Sequence, residues 1–159
     1  MDFRLLYAVL LTLAPVSELR GGLPLAIVYA IKNDIPLIFI FFLIVLVNIF
    51  VIFLVFYFLD KLHKGFLKFR FYKRFSDRYL KKFQGKVDKF EKKYANFGFL
   101  ALTIFVAVPL PGTGAWSGVL LSWLLGLERQ KSILFIALGV IIAGMIVFLG
   151  TLGLISFLS

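Results

Sequence analysis

Glu18 and Arg20 stand two residues apart in Ser17-Glu-Leu-Arg-Gly-Gly-Leu-Pro24, a polar, glycine-bearing interruption between runs of almost purely apolar side chains. An ionised group inside an apolar span is costly unless it is paired or faces a wet cavity, so both residues mark a functional site. Their chemistries differ: Glu18 can gain and lose a proton, whereas Arg20 is a permanent cation that can pair with Glu18 or bind an anion. A second interruption, Pro109-Leu-Pro-Gly-Thr-Gly-Ala-Trp-Ser-Gly118, carries no charge. Pro109 and Pro111 cannot sit inside a regular helix without removing hydrogen bonds, and Gly112 and Gly114 permit a tight reversal.

After each break a half-helix begins, and its first amides are unpaired and carry roughly half a positive charge. The expected donors are Gly21 and Gly22 beside Arg20 in the first break. In the second they run from Gly112 onward, with the Thr113 hydroxyl adding one more. Two such ends facing one cavity suit a phosphate or carboxylate. A bound anion would be repelled by an ionised Glu18, and protonation removes that conflict. Glu18 is therefore the proton-coupling candidate, and Arg20 its alternating partner or an anion-binding group.

Simpler readings stand beside these. Glu18 and Arg20 can form a structural ion pair bracing the first break, and the second break can be a plain turn. Trp116 either packs or touches substrate, and Trp123 belongs to packing or an interface. Asn48, the one polar residue in a long apolar run, either hydrogen-bonds across a helix interface or lines a substrate path.

Enzyme chemistry finds little footing. There is no cysteine, no metal-ligand cluster, no histidine near either break and one deep carboxylate, so no paired acid and base exist. No cofactor is expected. His63, the only histidine, lies among lysines past an apolar run and is expected to be solvated or interfacial.

The elements that must position these residues belong to a membrane protein. The 159 residues are 62% hydrophobic and 16% charged, more apolar surface than a soluble domain of this size can hide. The formal charge of +10 would suggest nucleic acid only if its location were ignored. Thirteen of the 18 basic residues fall between Lys61 and Lys93, directly after an apolar run, where positive-inside bias and anionic lipid headgroups place them. Asp60 to Tyr94 is thus expected at the cytoplasmic surface of the cell membrane. No removable signal peptide is expected, since the start has few positive charges and no small-residue cleavage site.

Leu5 to Val16 and Leu23 to Ile31 are each too short for a span of ~20 residues. Joined through Ser17 to Gly22 they form a re-entrant hairpin. Pro36 to Leu59 supplies 24 residues for a full transmembrane helix. In Asp60 to Tyr94 aromatic residues recur every three or four positions with lysine and arginine between them, an amphipathic helix lying on the membrane. Phe97 to Val108 and Ala115 to Leu127 repeat the hairpin, and Ser132 to Leu158 the span.

The fold expected is therefore all-α and integral to the membrane: two inverted repeats, each a re-entrant hairpin followed by a transmembrane helix, linked by an amphipathic surface helix. One membrane domain covers residues 1–159, divided at 1–59, 60–96 and 97–159, with both termini on the outer side. Inverted repeats with broken helices meeting at the midplane are a secondary-transporter architecture. So small a unit is expected to pair as a homodimer. Small residues at fourfold spacing, Gly22, Ala26 and Ala30, then Gly114, Gly118, Ser122 and Gly126, with Gly139 and Ala143 in the last span, allow close helix contact.

Ser17 to Ala26 and Val108 to Gly118 together resemble the small multidrug export proteins of bacteria and archaea, and the order of elements matches over nearly the whole chain. That family is similar to the broader DedA or VTT membrane proteins. The resemblance implies paired re-entrant hairpins and roles in flipping lipid carriers, scrambling phospholipid or proton-dependent drug tolerance. Many DedA proteins carry an arginine near the second proline-glycine turn, and Pro109 to Gly118 has none.

The expected task is proton-coupled movement of an amphipathic substrate, phosphate-bearing lipids included, as a flippase or scramblase would. The alternatives are proton-coupled export of amphipathic cationic drugs and a membrane organiser that transports nothing.

Overall fold

Pro15 decides where the first apolar run stops. It cannot donate a backbone hydrogen bond and disfavours helix at the residue before it, so the first helix closes at Leu13. In the computed structural model, which describes residues 3–66, 97–110 and 112–158, six helices follow one another. They are α1 (Phe3–Leu13), α2 (Glu18–Lys32), α3 (Leu37–Phe66), α4 (Phe97–Ala107), α5 (Ala115–Leu124) and α6 (Arg129–Leu158). No strand occurs among the described residues. The amphipathic helix expected over Asp60 to Tyr94 lies outside them from residue 67 onward, as do Pro111 and the side chain of His63.

Two helices, α3 and α6, are long and apolar enough to cross a membrane. Each has 30 residues and so runs roughly 45 Å, against a hydrocarbon thickness of about 30 Å. The others have 10 to 15 residues and reach roughly 15 to 22 Å, too short to cross alone. The chain is an all-α membrane protein.

The first break sits earlier than Ser17 to Gly22. Its turn is 14–17, with Ala14 N–H on Leu11 O at 3.2 Å and the Ser17 hydroxyl on Leu11 O at 2.7 Å. Glu18 opens α2 in the left-handed region, φ 46°, a conformation that costs a non-glycine residue about 1–2 kcal/mol. Gly21 and Gly22 therefore lie inside α2. The Gly21 amide is taken by Ser17 O at 3.1 Å, and Gly22 packs where a Cβ would collide with Thr12 and stand 2.6 Å from Ala8 O. The second break falls where its prolines put it, between Ala107 and Ala115.

Two other boundaries move. α3 continues past Asp60 to Phe66, because nothing in Asp60-Lys-Leu-His-Lys-Gly-Phe66 breaks a helix as proline would. α6 begins at Arg129, where Ser132 N–H and its hydroxyl both hold Glu128 O at 2.9 Å.

The packing is reciprocal. α2 rests on α3 and also on α6, while α5 rests on α6 and also on α3. Leu23, Ile27, Ile40, Ile44, Val119 and Ile136 are buried where these helices meet. Between helices in lipid the gain is close packing, since lipid tails are as apolar as leucine. Small residues make that approach possible: Gly118 faces Val106 and Ile136, and Gly139 faces Thr103 and Val106. Gly126 plays no such part, for it turns the chain after α5 with φ 66° and nothing within 4 Å of its would-be Cβ.

Candidate functional site

The first turn of α5 leaves amides that no residue of its own helix can accept. Glu18, on α2, accepts them. Its Oε2 receives Ala115 N–H at 3.0 Å and its Oε1 receives Trp116 N–H at 3.1 Å, while Gly114 N–H goes to the Ser117 hydroxyl at 2.9 Å. One carboxylate thus caps a helix in the other half of the chain, where the dipole favours negative charge. Gly114 is the residue that lets it in, since a Cβ there would overlap the carboxyl group. Glu18 is 7% exposed.

Arg20 lies two residues, just over half a turn, further along α2 and reaches the end of α4. Its Nη2 donates to the Thr113 hydroxyl at 2.8 Å and to Val108 O at 3.1 Å. The hydroxyl of Thr113 has Val108 O at 2.6 Å and Leu110 O at 2.9 Å as acceptors. It therefore holds the turn together instead of standing ready as a free donor. These carbonyls lie past the end of α4, where the helical ladder stops before Pro109 and turn hydrogen bonds take its place.

The exchange also runs the other way. Trp116 Nε1 donates to Leu13 O at 3.2 Å, closing the end of α1. Each half thus supplies a side chain to the terminal carbonyls of the other: Arg20 to α4, Trp116 to α1. Glu18 and Arg20 form no ion pair; among the described residues such pairs join Arg129 to Asp60 and Lys131 to Glu128, both at 2.6 Å. Each instead finds partners across the junction, and a carboxylate held by two amides is already satisfied.

Glu18, Arg20, Thr113, Gly114 and Trp116 are therefore brought together. Asn48, on α3, joins them at 1% exposure, and Glu18, Arg20, Asn48, Val106, Ala115 and Ala143 line a cavity of about 10 Å³. Pro109 and Gly112 lie on the surface of the second turn, Gly21 faces Ser17 in the first turn, and Gly22 faces α1. A wider groove of about 400 Å³ lies between α1 and α2, with Arg4 and Lys32 among Phe3, Tyr7 and Leu25.

Sequence reasoning passed over Pro15 and the Leu13 and Val108 carbonyls. The proline was a usable signal; the carbonyls carry none, since every residue has one. It also passed over Asp60 and Arg129, which tie α3 to α6 with Arg129 over the Phe56 ring at 5.1 Å.

No curated protein and no solved structure matches the chain. Residues 18–146 match the family model described as "Putative small multi-drug export protein", a span that begins at Glu18 and takes in Arg20, Asn48, Thr113 and Trp116; the chain belongs to that family.

Proposed function

We propose that this chain is a proton-coupled membrane transporter of amphipathic substrates bearing an anionic group, phosphate-bearing lipids among them. The observation that carries the reading is the grip of the Glu18 carboxylate on the Ala115 and Trp116 amides, a titratable bond joining the two halves. Protonation removes the charge that holds those amides. They are then open to an incoming anion beside Arg20, which commits one of its three nitrogens to the protein and has no carboxylate partner among the described residues. Substrate anion and ionised Glu18 compete for one helix end, so substrate and proton load together.

In this reading α1 with α2, and α4 with α5, are re-entrant hairpins entering from opposite faces, and the halves are inverted repeats. The reciprocal helix-end contacts support it. The basic stretch from Lys61 to Lys93 lies against anionic headgroups on the cytoplasmic side, both termini lie outside, and two copies form the working unit. The groove holding Arg4 and Lys32 has the size of a ligand site and the charge for an anionic headgroup.

A second reading follows the family description: export of amphipathic cationic drugs, with cation and proton exchanging on Glu18, the one buried carboxylate among the described residues. Proteoliposomes separate the two. With a fluorescent lipid phosphate, an inward-acid pH gradient should drive headgroup movement that Glu18→Gln and Arg20→Ala abolish. A cation exporter would instead release protons when a cationic dye is added, in Arg20→Ala as in the parent. A membrane organiser would do neither.

A further inference from the structure

The oxygen of Asn48 is out of place. The side chain sits near the middle of α3 and is 1% exposed, yet its Oδ1 has no hydrogen-bond partner among the described residues. A buried amide oxygen left unpaired costs about 1–3 kcal/mol, so such groups are nearly always satisfied by protein or by ordered water. Asn48 lines the small cavity that also touches Glu18 and Arg20. Its volume of about 10 Å³ is room for one water-sized occupant.

We propose that this cavity binds a single water molecule, held by Asn48 between Glu18 and Arg20, and that this water hands the proton to and from Glu18. The inference rests on the proton-coupling reading and adds to it the route and the residue that positions the donor. A water there has the partners it needs. It donates to Asn48 Oδ1 and to the remaining lone pairs of the Glu18 carboxylate, and accepts from the guanidinium of Arg20, whose Nε and Nη1 make no bond to the protein among the described residues. Proton transfer then forms an O–H bond on Glu18 as one breaks on the water, and the water regains its proton from the aqueous side.

The same surroundings disfavour a metal cation, which would find Glu18 as its one anionic ligand there and no cluster of three acidic, histidine or cysteine side chains among the described residues. Arg20 is a full positive charge at the cavity wall, and Ala115 brings the positive end of α5 to it. Sodium would meet both, whereas a neutral water meets neither cost. The remaining walls, Leu19, Val106, Val140 and Ala143, are apolar. α3, α5, α6 and α4 thus present no further charged group to Glu18 there, and Arg20 is the one charge beside it. Asn48 is accordingly a positioning residue.

The test uses the full chain in lipid nanodiscs and infrared difference spectroscopy. A pH jump should raise a carboxylic-acid band that Glu18→Gln removes, and exchange into H2(18)O should shift one sharp water band. Asn48→Leu, which fills the space, should abolish the water band and slow the appearance of the Glu18 band at least about tenfold with its final amplitude kept. Asn48→Ser, which keeps an acceptor, should restore much of the rate. Should Asn48→Leu not fold, Asn48→Ala removes the same acceptor and should slow the rate likewise. A parent chain with a Glu18 band but no water band overturns the water site, and a Glu18 band that appears at an unchanged rate in Asn48→Leu or Asn48→Ala overturns the hand-over; proton coupling stands in both. An Asn48-dependent water band without any Glu18 band at any pH overturns proton coupling and the hand-over, and leaves only a structural water. A Glu18 band that responds to sodium at fixed pH overturns the assignment of the cavity to water.

Discussion

Glu18 accepts the backbone N–H of Ala115 at 3.0 Å although 97 residues separate them. With the matching bond from Trp116, that contact makes the first break of the chain the cap of the helix that follows the second. The two interruptions are one junction, and its strength depends on the state of one carboxyl group.

Glu18→Gln tests this directly. The amide oxygen still accepts from one backbone N–H, but its NH2 group confronts the other, leaving a buried donor unpaired at a cost of about 1–3 kcal/mol. Thermal unfolding in detergent should show that loss. Transport driven by a pH gradient should be abolished, because the variant carries no titratable group at the junction.

The neighbouring glycines should separate steric from backbone effects. Gly114→Ala drives a methyl into the Glu18 carboxyl and is expected to cost about 2–3 kcal/mol. Combined with Glu18→Ala, much of that cost should vanish, giving a coupling of at least about 1 kcal/mol in a double-mutant cycle. Gly112→Ala meets no atom within 4 Å but must hold φ near 83°, so about 1–2 kcal/mol of backbone strain is expected without coupling to Glu18.

Arg20→Ala should be milder for stability than for function. Thr113 still donates within its turn, so about 1 kcal/mol is lost with the hydrogen bond to Val108 O. Movement of a lipid phosphate should fall to background, and Arg20→Lys should recover it only in part, since an ammonium lacks the flat fork that reaches Thr113 and the anion together.

At Gly139 the obstacle is backbone. A Cβ would stand 2.8 Å from Thr103 O and 2.7 Å from Val106 Cβ, on the face where Thr103 also donates to Phe135 O at 2.9 Å. Gly139→Ala is expected to cost about 1–3 kcal/mol by forcing α4 and α6 apart. Gly150→Ala, with nothing within 4 Å, should leave unfolding unchanged or slightly improve it.

The Asp60 to Arg129 pair is the control. Both side chains are well exposed, so Asp60→Asn should change stability by under about 1 kcal/mol, and less still at high salt.

The sequence by itself determined the apolar class, the two long helices, the two breaks and the presence of one acidic and one basic side chain beside the first of them. Those are local properties: run length, the missing N–H of proline, and the cost of charge among apolar side chains. Two prolines mark the second break in the sequence, whereas Pro15 lies within otherwise apolar residues, so the first break reads too late. What only the tertiary structure decided is which group meets which. Nothing in the spacing of Glu18 and Arg20 says that each takes its hydrogen-bond partners from the far side of the junction. That outcome follows from the unpaired amides of α5 and the carbonyls at the end of α4, which recur at every helix end and become particular only when folding brings two ends together.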